Sequence, residues 1–282
     1  MSRDDTGGGG PDPRDGLDLA PYLSRLDGTD PARWLIGFDF DGTLAAIAAQ
    51  PEDVVLDLDL EPVLEKLRAR VGWLIVISGR ERALLSSLLP PGWLAIGSYG
   101  LELPPDLSQT GQPEGFDPVS ATAALERALD QLRVLSSELP GTLVEVKRWG
   151  VVLHYRAVPE VAEDRAHWRR FRAIAFGLGL AAVEGRQNYE MKAKGAPDKG
   201  WVIGRLVELL RPSAVTFTGD DLGDVPAWDK LRQLSGELPT LSVGVGSTEA
   251  PEVMASVCDV VLPGRDQLRP FCEAILQKAE SG

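Results

Sequence analysis

The segment from Trp34 to Thr43 reads WLIGFDFDGT and decides the fold. Its first half is a continuous apolar run, which is typical of a strand buried on both faces of a parallel sheet. Its second half is an acidic turn in which Asp39 and Asp41 are separated by one residue. In open parallel sheets, ligands bind at the carboxyl ends of the strands. The segment therefore predicts a functional loop at the end of a buried strand.

The same pattern recurs along the chain. Further strand-like runs are WLIVISG (73–79), WLAIGSYG (93–100), AVTFTG (214–219) and TLSVGVG (240–246), and segments of helical periodicity separate them. Alternating strands and helices favour a sheet that is covered by helices on both faces. We therefore predict an α/β fold with a Rossmann-like parallel sheet.

The alternation is interrupted in the middle of the chain. Residues 104–118 are rich in proline and glycine, which is typical of a long loop or a linker. The chain then reads as helix, hairpin, helix and hairpin, with turns predicted at Trp149-Gly150 and Gly185-Arg186. Because the buried-strand pattern resumes afterwards, we interpret this stretch as an inserted α+β cap domain. The predicted division is a disordered tail at 1–15, a catalytic core at 16–103 and 188–282, and a cap at 104–187.

Composition narrows the classes of function. Of the 282 residues, 44% are hydrophobic, which is enough to bury a sizeable core. The formal net charge of −13 argues against a nucleic acid or an anionic membrane surface as a partner. An acidic protein binds an anionic small molecule only where a metal ion or local basic side chains offset its field. We therefore expect a divalent cation and a few well-placed Lys and Arg residues.

Cysteine and histidine usage excludes several kinds of site. Cys258 and Cys272 both stand in apolar surroundings, which favours buried, reduced thiols over a disulfide or a redox pair. With only His154 and His167 in the chain, a metal site built from several histidines is excluded. The N-terminus lacks a signal-peptide pattern, and no apolar run is long enough to span a bilayer. The expectation is a soluble cytoplasmic protein.

A second acidic turn follows a later strand. Asp220 and Asp221 come directly after AVTFTG, and Asp224 stands close behind. If this strand neighbours the one before Asp39, the two groups of carboxylates meet at one edge of the sheet. Clustered carboxylates repel one another, and Mg²⁺, which prefers a few carboxylates plus substrate phosphate, relieves that repulsion. The pattern therefore predicts a magnesium site that receives a phosphate group.

The spacing of Asp39 and Asp41 indicates phosphoryl transfer. An aspartate can attack phosphorus, and a second acid can protonate the leaving oxygen and then activate water. Alternation along an extended strand places the two side chains on the same side. Gly42 permits a tight turn where the phosphate approaches. Ser78, which ends the second strand, and Lys199, which opens a helix, are candidates to bind a phosphate oxygen and to offset its charge.

Each of these features is ordinary when it stands alone. Asp41-Gly42 is a common turn dipeptide, Ser78 in a Ser-Gly-Arg sequence is a usual helix cap, and Lys199 before a helix is usually a surface charge. Their order along the chain, each at a strand end or a helix start, favours the functional interpretation.

Four motifs resemble those of the haloacid dehalogenase (HAD) superfamily. They are DFDGT at Asp39, Ser78 in VISGR, Lys199, and GDD at Asp220. The resemblance implies a HAD-like core in which Asp39 is the nucleophile and Asp41 the acid/base. It further implies that Mg²⁺ is held by the Asp39 side chain, the Asp41 backbone carbonyl and Asp220, with Asp221 or Asp224 in support. The resemblance also assigns four further residues to substrate binding: Gly42, Thr43, Gly79 and Arg80.

Within the superfamily the chain is most similar to the trehalose-6-phosphate phosphatases. The similar segments are DFDGTLAAIAAQPEDV (39–54), GSYGLEL (97–103), VEVKRWGVVLHYRAVP (144–159) and YEMKAKGAPDKG (189–200). The resemblance implies hydrolysis of trehalose 6-phosphate to trehalose and phosphate through an aspartyl-phosphate intermediate. It also makes a trehalose-phosphate synthase the metabolic neighbour, with no sequence feature that shows contact. The sugar-binding residues that it implies are Glu102, Glu145, Lys147, His154, Arg156, Glu190 and Lys192.

The chain departs from the family pattern near the sugar. Tyr99 stands where the family often has His, and the run from Leu222 to Trp228 differs from the usual continuation of GDD. Without the resemblance, His154 would be a structural histidine, and Lys147 and Glu190 would be surface residues on strands. Three alternatives stay open: a phosphatase for another sugar phosphate, of the sucrose or glucosyl-glycerate type; a sugar phosphomutase or phosphotransferase; and an inactive regulatory subunit. Hinges for closure of the cap are predicted near 104–105 and 185–188.

Overall fold

The computed structural model describes residues 17–47, 54–100, 102–104, 107, 113–158, 160–185, 187–248 and 250–281. The tail predicted at 1–15 lies outside these residues, as do parts of the predicted loop at 104–118 and of both predicted hinges. The described chain forms two sheets, one parallel and one antiparallel.

The parallel sheet contains six strands. They are β1 (Trp34–Phe38), β2 (Trp73–Ile77), β3 (Leu94–Ile96), β8 (Ala214–Gly219), β9 (Thr240–Val245) and β10 (Val260–Leu262). Their order across the sheet is β10-β9-β8-β1-β2-β3, and every pair is parallel. The predicted α/β fold with a parallel core sheet is confirmed.

Helices cover both faces of this sheet. They are α1 (Ala20–Leu23), α2 (Glu61–Arg68), α3 (Arg82–Leu88), α7 (Lys199–Leu210), α8 (Val225–Leu234), α9 (Met254–Val257) and α10 (Leu268–Ser281). Successive side chains of β1 point to opposite faces of the sheet. Ile36 and Phe38 pack in the hydrophobic core shared with α2 and α10, whereas Leu35 packs in the core shared with α7 and α8. Burial of each such side chain contributes about 1.5–3 kcal/mol.

The second sheet is antiparallel and belongs to the cap. Its strands β4 (Leu143–Lys147), β5 (Gly150–His154), β6 (Ala181–Gly185) and β7 (Asn188–Lys192) lie in the order β4-β5-β7-β6. The cap helices are α4 (Pro118–Ser137), α5 (Glu160–Glu163) and α6 (Arg165–Gly177). Asp117 and Asp164 cap the amino ends of α4 and α6 by accepting backbone N–H hydrogen bonds.

The structure corrects two details of the predicted cap. Lys147 pairs with Gly150, so the first hairpin turns at Arg148-Trp149 and not at Trp149-Gly150. The boundary predicted at 187 falls too early, because β7 pairs with both β5 and β6 and lies inside the cap sheet. The hairpin predicted around Gly185-Arg186 already implied a second strand here, and the structure shows that this strand, β7, continues to Lys192.

Among the helices of the described residues, none combines the length and the apolar character that crossing a membrane requires.

Candidate active site

Three neighbouring strands bring the core motifs together. β8 and β2 flank β1, so Asp220, Asp39 and Ser78 follow adjacent strands at one edge of the sheet. The Asp39 N–H donates to Thr218 O at 2.8 Å. This hydrogen bond extends the pairing between β1 and β8 by one residue beyond the end of β1. The predicted meeting of the two acidic turns thus results from strand order.

Lys199 links the first acidic turn to the second. Its Nζ lies 2.6 Å from Asp39 Oδ1 and 2.6 Å from Asp224 Oδ1, and all three side chains are buried. Burial alone would lower the pKa of Lys199, but Asp224 and Asp39 raise it well above its usual value. The ammonium therefore stays charged, and it offsets negative charge beside Asp39.

Asp224 is held in place by several donors. One of its oxygens faces Lys199, and Oδ2 accepts the backbone N–H groups of Asp220 at 2.9 Å and Asp221 at 3.1 Å. Gly219 leaves room for this carboxylate, because a Cβ there would overlap the Asp224 carboxyl group. Asp224 consequently fixes the turn that presents Asp220.

Asp220 packs directly against the DFDGT loop. Its Oδ1 accepts a hydrogen bond from Thr43 Oγ1 at 2.9 Å. Gly42 adopts a φ of +84°, and a Cβ at this position would overlap Asp220 Oδ2. Glycine is therefore required at position 42 both for the backbone conformation and for the close approach.

The three buried carboxylates fit a divalent cation. Asp39, Asp220 and Asp224 each offer an oxygen, and these oxygens lie within 4.8 Å of one another. Burial raises the pKa of Asp39 to about 7 despite Lys199, with Asp220 adding to the increase. Burial, Asp224 and Asp221 likewise raise the pKa of Asp220 to about 7. This excess of buried negative charge is the condition that a hard cation with oxygen ligands relieves.

Asp221 lies outside this triad. Its side chain is exposed, its Oδ1 accepts the Gly223 N–H at 2.8 Å, and it lines the cavity above the acidic turns. Of the two supporting residues that the resemblance left open, the structure brings Asp224 into the cluster. Sequence spacing alone did not distinguish them.

Asp41 forms a two-point ion pair with Arg80. Arg80 Nε donates to Asp41 Oδ2 and Arg80 Nη2 donates to Asp41 Oδ1, both at 2.7 Å. Such a planar pair fixes the orientation of a carboxylate as well as attracting it. Asp39, Asp41 and Arg80 line the same cavity, although β1 ends at Phe38, so alternation along a strand is not what brings the two acids together.

Ser78 is buried at the base of a tightly packed turn. Its Oγ accepts the Arg80 N–H at 3.2 Å. The ring of Tyr99 lies on Gly79, where a Cβ would come within 2.7 Å of the ring. Ser98 and Tyr99 have φ values of 49° and 54°, a left-handed conformation that costs non-glycine residues about 1–3 kcal/mol each.

The cap presents a charged face to the core. Register places five of the predicted sugar-binding residues on this one face of the cap sheet: Glu145, Lys147, His154, Glu190 and Lys192. The opposite face carries apolar side chains such as Leu153, Tyr189 and Met191, which pack against the cap helices.

Pairwise contacts organise the charged face. His154 Nε2 lies 2.7 Å from Glu145 Oε2, and Lys147 Nζ lies 3.9 Å from Glu190 Oε2. Lys192 Nζ lies 5.8 Å from the centre of the Tyr99 ring in the core. Burial alone would lower the pKa of Lys147, but Tyr99, Glu190 and Glu145 raise it above its usual value. Positive charge is therefore retained opposite the acidic turns.

A cavity of about 660 Å³ lies between the two domains. This volume falls in the usual range for small-molecule sites. Its core lining includes Asp39, Asp41, Ser78, Arg80 and Lys199, and its cap lining includes Glu145 and Lys147.

Several predicted sugar-binding residues do not line this cavity in the described part of the chain: Glu102, His154, Arg156, Glu190 and Lys192. Arg156 lies beyond the end of β5, where its Nε donates to Gln187 Oε1 at 3.0 Å. β5 ends at His154, so Arg156 does not share the charged face of the cap sheet with His154.

The structure also adds residues that the sequence did not single out. Arg148, Thr122 and Glu126 line the cap side of the cavity. Arg265 supports the DFDGT loop from below, because its Nε donates to Thr43 O at 3.0 Å and its Nη2 lies 3.2 Å from Asp57 Oδ2. No local pattern in the sequence distinguished Thr122, Glu126 or Arg265.

The sequence of this chain matches a known protein family. A family model described as trehalose-phosphatase matches residues 37–256, a range that contains all of the acidic turns and the cap. The chain belongs to the trehalose-phosphatase family. Arg265, which supports the first acidic turn, lies beyond the matched range.

Individual relatives of this trehalose-phosphatase family member agree. A trehalose-phosphate phosphatase from Mycobacterium marinum is 34% identical over 223 residues, which cover 76% of this chain and 55% of that protein. The chain thus spans about half the length of the curated relatives that it matches.

Solved structures extend the agreement in fold to both domains. The C-terminal domain of a C. albicans trehalose-6-phosphate phosphatase superposes with a TM-score of 0.71 at 21% identity, covering 93% of this chain and 97% of that one. A haloacid dehalogenase-like hydrolase from B. subtilis gives a TM-score of 0.51 at 16% identity, covering 86% and 99%. The fold is therefore a HAD-type core with a cap.

Proposed function

We propose that this chain hydrolyses trehalose 6-phosphate to trehalose and inorganic phosphate. The observation that carries the proposal is the arrangement of one cavity: the Asp39–Lys199 pair lies at its core side, and Glu145 and Lys147 lie at its cap side. The core groups suit a phosphoryl group, and the cap groups suit the hydroxyls of a sugar. Membership of the trehalose-phosphatase family supports the choice of sugar.

The proposed cofactor is Mg²⁺. The residues that would hold it are Asp39, Asp220 and the backbone carbonyl of Asp41, with Asp224 orienting the second turn; the buried oxygens of the acidic triad support this assignment. When bound, the ion neutralises charge on the phosphoryl group that is transferred. Thr43 keeps Asp220 oriented through its hydroxyl.

In the first proposed step, an Asp39 carboxylate oxygen attacks phosphorus. A bond forms between this oxygen and phosphorus, and the bond between phosphorus and the sugar oxygen breaks. Asp41, in its protonated form, gives its proton to the departing sugar oxygen. Lys199 and Ser78 stabilise the charge on the phosphoryl oxygens, and electrostatic stabilisation of this kind is usually the largest single contribution to catalysis.

In the second proposed step, water replaces the enzyme at phosphorus. Asp41, now a carboxylate, takes a proton from the water, and the water oxygen attacks the aspartyl phosphate. The bond between Asp39 and phosphorus breaks, which releases phosphate and restores the Asp39 carboxylate. The Arg80 pair orients Asp41 toward the cavity for both proton transfers.

The cap is proposed to select the sugar and to exclude bulk water. Lys147, whose pKa is raised above its usual value, keeps its positive charge on the cap side of the cavity, where its ammonium can donate hydrogen bonds to sugar hydroxyls. Release of product requires the cap to open, since the cavity is walled by both domains.

A cytoplasmic location is part of the proposal. Cys258 and Cys272 are free thiols, which fits a reducing compartment. A small sugar phosphate is the proposed partner, and a trehalose-phosphate synthase is the proposed metabolic source of it.

The test is phosphate release from trehalose 6-phosphate and from a panel that contains sucrose 6-phosphate, glucosyl-glycerate phosphate and glucose 6-phosphate, with Mg²⁺ and with chelator. Preference for trehalose 6-phosphate, lost in chelator and in Asp39→Asn, is the expected result. Preference for another ester would overturn the sugar assignment and keep the Asp39 chemistry. Transfer of the phosphoryl group to a sugar in place of water would identify a mutase, and inactivity on every ester would indicate a regulatory subunit.

A further inference from the structure

Glu102 joins two loops of the core. Its Oε1 accepts a hydrogen bond from Ser98 Oγ at 2.8 Å, and its Oε2 accepts one from the Arg82 N–H at 2.6 Å. Both carboxylate oxygens are thus engaged with core groups, and Glu102 is not part of the described cavity lining. This geometry differs from the sugar contact that the family resemblance implies for Glu102.

The loop that Glu102 holds has an unfavourable backbone. Ser98 and Tyr99 are consecutive residues at positive φ, and Ser98 is fully buried. Gly97 approaches the start of α3 so closely that a Cβ would overlap the Arg82 backbone nitrogen. Conformations of this kind persist only where surrounding contacts determine them. The Glu102 side chain supplies two such contacts, and its backbone pairs with Gly97 in both directions.

The loop that Glu102 holds in turn contacts the turn at residues 78–80, which we call the phosphate loop. The Tyr99 N–H donates to Ser78 O at 3.1 Å, and the Ser98 N–H donates to Arg80 O at 2.8 Å. The Tyr99 ring covers Gly79. The backbone carbonyl groups of Ser78 and Arg80 are therefore held by residues whose own conformation depends on Glu102.

A second effect of Glu102 is on the start of α3. The helix begins at Arg82, and its N-cap residue Glu81 makes no side-chain capping hydrogen bond. Glu102 reaches across from the neighbouring loop and accepts the first free N–H of this helix. A carboxylate at this end of a helix is favourable because it satisfies a donor and complements the helix dipole.

We propose that Glu102 is a positioning residue for the phosphate loop, and that it acts on Ser78 and Arg80 through Ser98 and Arg82 without touching the sugar. The inference rests on the proposed phosphatase function for its kinetic test and on the geometry alone for its structural test. A positioning residue affects every phosphate ester alike, whereas a sugar contact affects only sugar phosphates.

The kinetic test compares trehalose 6-phosphate with p-nitrophenyl phosphate, which has no sugar. We expect Glu102→Leu to lower kcat on both esters by roughly tenfold to a hundredfold, because small displacements of catalytic groups have effects of this size. Glu102→Gln should recover most of the rate, since its amide oxygen accepts from Arg82 and its amide nitrogen donates to the Ser98 hydroxyl. Ser98→Ala, which removes one of the two bonds, should give a smaller loss than Glu102→Leu, again on both esters. Glu237→Leu, at an exposed loop position, is the matched control.

The structural test is hydrogen exchange, which needs no turnover. In Glu102→Leu, exchange at the amides of Arg82, Ser98 and Tyr99 should accelerate relative to the wild type, while in Glu237→Leu it should not. Exchange that is unchanged would overturn the proposal even if the wild type hydrolysed neither ester, an outcome that by itself removes only the proposed function. A rise in KM confined to trehalose 6-phosphate would also overturn it, as would equal losses in Glu102→Gln and Glu102→Leu.

Discussion

The Nζ atom of Lys199 lies 2.6 Å from Oδ1 of Asp39, and both side chains are almost completely buried. The same ammonium also contacts Asp224 at 2.6 Å, so one buried cation lies between two buried carboxylates and offsets only part of their charge. Removal of one partner from such a group leaves uncompensated charge in the interior, which costs more than the pair itself contributes.

Lys199→Met should therefore harm both stability and catalysis. The substitution keeps the length of the side chain but removes the charge, and we expect a loss of about 3–5 kcal/mol in the free energy of unfolding. The rate of phosphate release should fall by about a hundredfold or more, because a charge aimed at the phosphoryl group is lost. Denaturant unfolding and phosphate release measure the two effects. Lys66→Met on the exposed side of α2 is the control, and equal behaviour of the two variants would contradict the assignment.

Gly42→Ala should disrupt the acidic cluster, while Gly92→Ala should not. Both glycines have nearly the same φ, +84° and +85°, so both substitutions carry a backbone cost of about 1–2 kcal/mol. At Gly92 a Cβ meets nothing within 4 Å, whereas at Gly42 it overlaps the Asp220 carboxylate. We expect similar losses of stability from the backbone term, but loss of phosphate release only in Gly42→Ala. Full activity in Gly42→Ala would mean that the Asp220 position tolerates displacement.

Arg80→Lys tests the two-point pair with Asp41. Lysine retains the positive charge but lacks the planar fork that contacts both carboxylate oxygens. Without that fork the orientation of Asp41 is no longer fixed, and kcat should fall by roughly tenfold to a hundredfold. The matched control is Arg68→Lys, because two guanidinium nitrogens of Arg68 contact Glu65 on the protein surface. Steady-state kinetics on both variants would refute the role of the pair if Arg80→Lys kept the wild-type kcat.

Asp220→Asn should remove the response of the protein to Mg²⁺. In the absence of metal this variant should melt at a higher temperature than the wild type, because it relieves repulsion among buried carboxylates. Added Mg²⁺ should raise the melting temperature of the wild type only, since a ligand stabilises the state that binds it. Asp221→Asn should retain the response, because Asp221 lies at the rim of the cavity. Loss of the response in Asp221→Asn would instead assign the ligand to Asp221.

Lys147→Met should alter selection of the substrate more than chemistry. Lys147 lines the cap side of the cavity and lies 3.9 Å from Glu190. Loss of a charged hydrogen-bond donor costs about 1.5–3 kcal/mol of binding, so KM for trehalose 6-phosphate should rise by about tenfold to a hundredfold. kcat/KM for p-nitrophenyl phosphate should change much less. Lys194→Met, at an exposed position, is the control; an equal loss on both esters would place Lys147 in the phosphate site and not in the sugar site.

The core motifs could be predicted because local pattern and topology coincide there. Continuous apolar runs mark buried parallel strands, and ligands collect at the carboxyl ends of such strands. Asp39, Ser78 and Asp220 each follow a run of this kind, so the sequence predicts that they lie at one edge of the sheet. Lys199 was predicted from its place at the start of a helix, and the structure adds that Asp198 caps this helix by accepting the Trp201 N–H.

The remaining features depend on partners that are distant in sequence. The inward orientation of Glu102, the pairing of Asp41 with Arg80, and the choice of Asp224 over Asp221 for the buried cluster each depend on contacts across loops. No periodicity records such contacts, because a carboxylate in a loop satisfies itself with whichever donor the folded chain brings within reach.

By itself, then, the sequence determined the fold class, the insertion of a cap, and the acidic strand ends of the core. Those properties follow from the hydrophobic period and from the acidic residues that come directly after apolar runs, which are local features of the sequence. Only the tertiary structure decided that β7 pairs with β5 as well as with its hairpin partner β6, since the pairing of strands distant in sequence is fixed by the packing of the whole cap. It also decided which carboxylates share the buried site, because burial and the position of Lys199 arise from packing across the whole domain.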